Sequence, residues 1–230
     1  MNKLTRILTD SNIRQAYNDV LEVGLDSLLD SGVLKEIPII GTISNIQKGV
    51  RNVQDTIFAR KLLSFINPVS EVTEEERRVQ ILKIEEDDNY RQSVGSKIMY
   101  LIDKAQDHLF SRYIGLLFVD FLKNNISYEE FCKASLILNR IDYYDLQTFL
   151  SYKKDNFGGN GTENMGIEEH DVAFISSGLC YTVIDEVTVE DEDDYKMERA
   201  YKVSGGQTEI YMSLIGGVIH RVLNQESSND

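Results

Sequence analysis

The sequence has no tryptophan, and only two of its 230 residues are proline, two are cysteine and three are histidine. Few prolines are typical of long uninterrupted helices. Two cysteines without a CxxC pair exclude a disulfide-stabilised scaffold and predict reduced, buried thiols. The histidines lie on separate elements without HExxH spacing, so they predict no zinc centre and fit structural or surface roles. These residues are Cys132, Cys180, His108, His170 and His220.

Long hydrophobic runs are also lacking. No window approaches the roughly 18 apolar residues that a membrane-spanning helix needs. The first ten residues, MNKLTRILTD, lack the continuous apolar core of a signal peptide. We therefore expect a cytoplasmic protein, with peripheral contact at the inner face of a membrane as the alternative. At 42% hydrophobic residues, the chain has enough apolar material for a buried core.

Basic residues are scarce in the C-terminal third. From Asp155 to Asp230 there are 16 acidic and four basic residues, whereas the first 154 residues carry 22 acidic and 20 basic ones. The formal charge of −14 therefore belongs mainly to the C-terminal third. Such a module repels phosphate backbones, which argues against nucleic acid as a direct partner and is compatible with protein partners.

What is present is mostly helical periodicity. Apolar residues recur at three- and four-residue steps through most of the first 152 residues, and a long segment from Asn89 to about Lys123 is apolar nearly all round. Capping boxes at Thr73–Glu76 and Ser127–Glu130 predict two helix starts, and Asp142 predicts a third. Pro68 is predicted to stop the helix before it. The fold class is mainly α, with a helical bundle over residues 1–152.

A glycine- and asparagine-rich stretch, residues 153–166, predicts a linker. Its glycines lack the preceding strand and the Lys-Ser/Thr of a phosphate-binding loop. Beyond it, residues 167–225 predict a short helix closed by Gly178, a hairpin of β-forming segments and a last helix capped by Ser213. This order resembles a winged-helix module, here an acidic α+β one, and residues 226–230 are expected to be a disordered tail.

The segment from Val33 to Pro68 begins with Ile-Pro-Ile-Ile-Gly and continues as an amphipathic helix from Thr42 to Ile66. Its opposite face is basic. Three interpretations stay open: a core-facing helix, a helix on an anionic membrane surface, and a partner-binding helix in a homo-oligomer. The candidate membrane- or partner-binding residues are Ile37, Ile39, Ile40, Ile43, Lys48, Arg51, Arg60 and Lys61.

The acidic run Glu190–Asp194 is predicted to be the tip of the hairpin, with Tyr195–Val203 as its return strand. The run lacks the glycine and the closing Glu of a calcium loop. The same acids could instead dock a basic partner surface, and the pattern does not separate a tip that binds a cation from one that binds a partner. The candidate docking residues are Asp191, Glu192, Asp193 and Asp194. No nucleophile elbow or catalytic constellation is found, so we expect a non-enzymatic protein without cofactor or metal.

The order of several features resembles the abortive infection alpha family of bacterial antiphage proteins. These are the Ile37-Pro38-Ile39-Ile40-Gly41 block, the amphipathic helix ending in Phe58-Ala59-Arg60-Lys61-Leu62, then Phe65, Glu75-Glu76-Arg77, and Ile126-Ser127 before Glu129-Glu130-Phe131. The resemblance covers most of the chain, although the acidic stretch from Asp185 to Tyr195 has no counterpart in it. It implies a bacterial or mobile-element protein that limits phage propagation, acting on a phage or host protein, and it carries over no catalytic residue. The alternatives are a membrane-active effector that uses residues 33–66 and a soluble helical interaction or regulatory protein unrelated to defence.

Overall fold

The computed structural model describes residues 53–70, 72–152, 169–184, 186–192, 200–206 and 208–226. These residues form eight helices and four strands. The helices are α1 (Val53–Ser70), α2 (Glu74–Glu85), α3 (Asp88–Lys104), α4 (His108–Leu122), α5 (Tyr128–Leu138), α6 (Tyr143–Ser151), α7 (Glu169–Ser177) and α8 (Leu214–Glu226). The strands are β1 (Cys180–Ile184), β2 (Thr188–Glu192), β3 (Ala200–Ser204) and β4 (Thr208–Met212). The protein is therefore mainly helical with a small antiparallel β element near its C-terminus, as the sequence predicted.

The chain divides into two compact units, Met1–Asn139 and Arg140–Asp230. We call them the helical unit and the C-terminal unit. The boundary lies before α6, whereas the sequence analysis ended the helical domain at residue 152. Helix α6 joins the C-terminal unit because its buried Phe149 packs against Phe174 of α7, with ring centroids 5.4 Å apart. The predicted linker, residues 153–166, lies outside the described residues.

The predicted helix starts are confirmed. The Glu76 N–H donates to Thr73 Oγ1 over 3.3 Å, and the Thr73 N–H donates to Glu76 Oε2 over 3.0 Å. The same reciprocal pair joins Ser127 and Glu130, at 3.2 and 2.7 Å. Asp142 accepts from the Tyr144 N–H over 2.8 Å. Each cap satisfies N–H groups that have no partner within their own helix.

The long apolar segment after Asn89 is two helices rather than one. It breaks at residues 105–107, where the Asp107 carboxylate accepts from the backbone N–H groups of Leu109 and Phe110 at 2.8 and 3.0 Å. An aspartate before an apolar run is a strong helix start, and here it begins α4. This break separates α3 from α4.

Pro68 does not stop α1, which continues to Ser70. A proline donates no N–H to the carbonyl four residues earlier, but in the last turn this loss is small against the packing that the turn gains. The Pro68 ring is buried against Gly115 of α4. A Cβ on Gly115 would come within 2.8 Å of Pro68 Cγ and would collide with the Phe65 carbonyl oxygen. One turn earlier, Ser111 Oγ donates to the Lys61 carbonyl over 2.7 Å. Small residues on α4 thus let α1 approach closely.

The core of the helical unit is aromatic. Phe118 lies at its centre, with ring centroids 5.5 Å from Phe65, 5.7 Å from Phe121 and 5.4 Å from Phe131. All four side chains are buried. They come from α1, α4 and α5, so this cluster fastens the three helices together by apolar area and ring contact.

Candidate interaction surface

The four strands of the C-terminal unit form two antiparallel pairs, which we call together the β-ribbon. Strand β1 pairs antiparallel with β4 from Cys180–Met212 to Ile184–Thr208, and β2 pairs with β3 from Thr188–Ser204 to Glu192–Ala200. On each arm, three residues separate the two pairs: residues 185–187 on the first arm and residues 205–207 on the second. The register therefore continues unchanged through the interruption.

Gly205 and Gly206 explain the interruption. Both have left-handed backbone conformations, with φ of 89° and 75°, which side chains disfavour. A Cβ at Gly205 would collide with the Glu186 carbonyl oxygen of the opposite arm. The two glycines therefore allow the backbones to approach closely where ladder pairing pauses.

The base of the β-ribbon is anchored in the core of its unit. Leu179 and Cys180 are buried, as are Phe174 of α7 and Ile219 of α8. Ser213 joins the base to α8: its Oγ donates to the Gly178 carbonyl over 2.8 Å and accepts from the Gly216 N–H over 2.8 Å. The predicted cap of the last helix is confirmed, and the same hydroxyl also holds the ribbon.

Beyond Cys180 the first arm of the β-ribbon exposes every large apolar side chain that the structure describes in it. Ile184 is 69% exposed, Val187 58% and Val189 60%, with Tyr181 and Val183 also exposed. Single exposed apolar residues are ordinary, whereas several exposed apolar side chains on one element are common where a protein binds another molecule. We call this row, Tyr181, Val183, Ile184, Val187 and Val189, the apolar row.

Both faces of the inner strand pair contribute to it. Directly paired residues share a face, so Tyr181 and Val183 lie with Tyr211 and Glu209 on one side, and Thr182 and Ile184 lie with Ile210 and Thr208 on the other. The Tyr181 and Tyr211 rings stack with centroids 5.7 Å apart, and the Tyr211 hydroxyl donates to Glu209. Neither face is a purely polar, solvent-facing one.

Acidic residues accompany the apolar row. Between residues 180 and 212 the sequence has nine acidic and three basic residues. Of the predicted docking acids, Asp191 and Glu192 lie within β2, opposite Tyr201 and Ala200, rather than at a hairpin tip. Asp193 and Asp194 lie outside the described residues. Of the predicted return strand, residues 195–203, the described part, residues 200–203, lies in β3, and the strand β4 follows it.

The predicted basic helix is described only from Val53 onward, so Ile37, Ile39, Ile40, Ile43, Lys48 and Arg51 lie outside the described residues. Its two described bases contact neighbouring helices. Lys61 Nζ donates to the Asp103 carbonyl, near the end of α3, over 3.0 Å, and an Arg60 guanidinium nitrogen lies 3.4 Å from His108 Nε2. On the same helix Leu62, Phe65 and Ile66 are buried. This part of the helix therefore faces a core.

The two thiols and the His220 imidazole are at least partly buried. Burial raises the pKa of the Cys180 thiol to about 12, and burial also raises the pKa of Cys132, beside the Tyr128 hydroxyl. Both are protonated at neutral pH and hence weak nucleophiles. His220 Nε2 donates to the Tyr152 carbonyl over 2.7 Å, where it holds α8 against the end of α6.

Within the described ranges, no three His, Cys, Asp or Glu side chains are grouped so that they could hold a metal ion. Among the same residues, no helix combines the length and apolar character that crossing a lipid bilayer requires. No family model, curated protein or solved structure matches the chain.

The sequence analysis missed the apolar row and the strand β4. The β-forming residues were predicted as part of a hairpin, and their propensity does not report which side chains are covered. A signal was present: within β1, Tyr181 and Val183 on one face and Ile184 on the other are apolar. Alternation of one apolar and one polar face is thus missing from this arm.

Proposed function

We propose that this protein binds another protein through the β-ribbon, without catalysing a reaction, and that this binding serves antiphage defence of the abortive-infection type. The observation that carries the binding role is the apolar row, which leaves five large described side chains in solvent on one arm of the β-ribbon. Exposed apolar rows of this kind are characteristic of interaction sites. The defence role rests on the residue-level resemblance to the abortive infection alpha family.

The membrane alternative has less support. Its apolar block lies outside the described residues, and the described part of the same helix buries Leu62, Phe65 and Ile66 instead of presenting them to a lipid surface. Flotation with anionic liposomes tests that alternative directly, and recovery of the protein with the lipid would favour it over the ribbon.

The test is a phage challenge of cells that produce the intact chain or a variant with Ile184→Thr and Val187→Thr. Threonine keeps the β-branched shape that strands favour and removes apolar surface. We expect the intact chain to reduce plaque numbers and the ribbon variant to return them to those of cells without the protein.

A matched control carries Val79→Thr and Leu82→Gln on α2. Val79 is 58% exposed, as Val187 is, and Leu82 is exposed as well, but both belong to the helical unit. We expect this control to protect like the intact chain. Soluble level and circular dichroism are measured for all three proteins. Full protection by the ribbon variant would contradict the binding role, and no protection by the intact chain against a broad phage panel would contradict the defence role.

A further inference from the structure

The charge around the apolar row restricts what can bind there. Glu186 is exposed between Ile184 and Val187, and Glu209 lies beside the stacked tyrosines on the opposite arm. With nine acidic and three basic residues, the sequence between residues 180 and 212 is net negative. A molecule that binds there must therefore supply apolar side chains, and it must not place negative charge against these carboxylates.

A second copy of the chain does not meet this requirement. Two β-ribbons packed together would bring Glu186 and Glu209 of both copies into one interface, and like charges that face each other across an interface oppose association. The same argument disfavours nucleic acid and anionic membrane, since both present negative charge.

The geometry also favours an extended occupant. Each described strand pairs with one other strand, so the inner and outer pairs are two-stranded sheets. A two-stranded sheet is marginally stable in water, and it gains backbone hydrogen bonds and cover for its side chains when a further strand is added. Addition of an extended peptide to a sheet edge is a common mode of protein recognition, in which alternate side chains supply specificity.

From these observations we infer that the β-ribbon binds an extended segment of a partner protein in which alternating apolar residues are flanked by lysine or arginine. The apolar side chains cover the apolar row, and the flanking cations lie near Glu186 and Glu209. This inference rests on the binding role proposed above and adds the chemistry of the partner to it.

Synthetic peptides test the inference with the full chain. One labelled peptide alternates valine and threonine between pairs of lysines, a second has glutamates in place of the lysines, and a third keeps the lysines with serine in place of valine. Binding is followed by fluorescence anisotropy at about 20 mM and about 300 mM salt, which differ in how strongly they screen surface charge. We expect the lysine–valine peptide to bind about tenfold more tightly than either other peptide at low salt, with a smaller advantage over the glutamate peptide at high salt.

Variants of the chain assign the binding to the β-ribbon. Val187→Thr and Glu186→Lys are each expected to weaken binding of the lysine–valine peptide several-fold. Val79→Thr and Glu86→Lys make the same changes at exposed positions of the helical unit and are expected to leave it unchanged. Sedimentation of the intact chain and of Val187→Thr is run alongside.

Equal binding of the lysine and glutamate peptides, or binding that ignores both ribbon substitutions, would overturn the inference. So would a dimer of the intact chain that Val187→Thr dissociates, because the occupant would then be a second copy. The lysine–valine peptide could bind no more tightly than the others while the variant with Ile184→Thr and Val187→Thr loses phage protection. In that case the inferred chemistry of the partner is wrong and the binding role stands. If the peptide is selected while that variant still protects, the binding role in defence fails instead.

Discussion

The helical unit and the C-terminal unit place their aromatic side chains differently. Phe65, Phe118 and Phe131 are buried in the helical unit, and each contacts another ring within it. In the C-terminal unit Phe149 and Phe174 form a smaller buried pair, whereas Tyr181 stacks on Tyr211 along a ribbon that stays exposed. The first arrangement maximises burial and therefore stability. The second leaves apolar area to be covered by another molecule.

Charge follows the same division. Residues 1–139 carry 20 acidic and 17 basic residues, whereas residues 140–230 carry 18 and 7. The described acids of the helical unit often cap helices, as Glu76, Asp107 and Glu130 do. The acids of the β-ribbon instead accompany exposed apolar residues. Acidic residues thus contribute to folding in one unit and to recognition, under the proposal, in the other. Substitutions that separate stability from binding test this comparison.

The largest difference is expected between two aromatic residues. Phe118→Ala removes the centre of the buried ring cluster and should lower the free energy of unfolding by about 3–5 kcal/mol. Tyr181→Ala removes a half-exposed ring and one stacking contact, and should cost about 1 kcal/mol. Urea unfolding followed by circular dichroism measures both. Similar losses for the two variants would show that the ribbon is as strongly packed as the helical core.

Two helix glycines give the next contrast. Gly115→Ala places a Cβ against the Phe65 carbonyl and Pro68, so we expect a loss of about 1–3 kcal/mol from overpacking. Gly217→Ala in α8 meets only Met212 Sδ at 3.8 Å, an ordinary contact, and should gain up to about 1 kcal/mol from helix propensity. The two thermal midpoints should therefore move in opposite directions. Stabilisation by Gly115→Ala would contradict the close approach of α1 and α4.

Ser213→Ala tests how the β-ribbon is held. The change removes the cap of α8 and the hydrogen bond to the Gly178 carbonyl, and should destabilise the C-terminal unit by about 1–2 kcal/mol. Ser213→Thr keeps both functions and should restore most of the loss. Ser176→Ala is the control, since that exposed hydroxyl only donates to the Ala173 carbonyl of its own helix. Hydrogen exchange of the β1 and β4 amides reports the effect locally, and unchanged exchange in Ser213→Ala would refute the anchoring role.

The predictability of these features depends on how local their physics is. The capping boxes at Thr73 and Ser127 were read from the sequence because a cap needs only residues three apart. The course of α1 past Pro68 was not, because it depends on Gly115, nearly fifty positions away in the sequence, which makes room for the proline ring. Local patterns specify where helices begin, whereas close packing between helices appears only in the structure.

The candidate site shows the same limit more strongly. β-forming residues from Leu179 to Val189 predicted a strand correctly, yet their exposure depends on whether other elements cover them, which periodicity does not report. The acidic run was predicted to form the tip of the hairpin. Instead, Glu190, Asp191 and Glu192 lie in β2 and pair with residues of β3. Pairing partners, rather than intrinsic propensity, decided the position of these acids.

The smallest expected effect concerns the charge of a cap in the helical unit. Hydrogen bonds from the Thr73 hydroxyl and N–H hold the pKa of Glu76 below its usual range, with Lys123 contributing. Because the pKa is lower in the folded state, the ionised carboxylate stabilises the fold above the usual glutamate pKa. This contribution disappears as the pH falls through the lowered folded-state value. Glu76→Gln should therefore unfold at a slightly lower temperature than the intact chain at pH 7, and the two midpoints should converge in acid.

Thermal midpoints of Glu76→Gln and the intact chain, measured from neutral pH into the acid range, check this dependence. Glu75→Gln is the matched control: it removes the same charge from the same helical turn but leaves the capping box intact. A difference that stays constant across the pH range would mean that the Glu76 side chain acts by shape and not by charge. Carboxylate charge at this cap would then have no role in folding. The contrast between the acids of the helical unit and those of the β-ribbon would fail at this position.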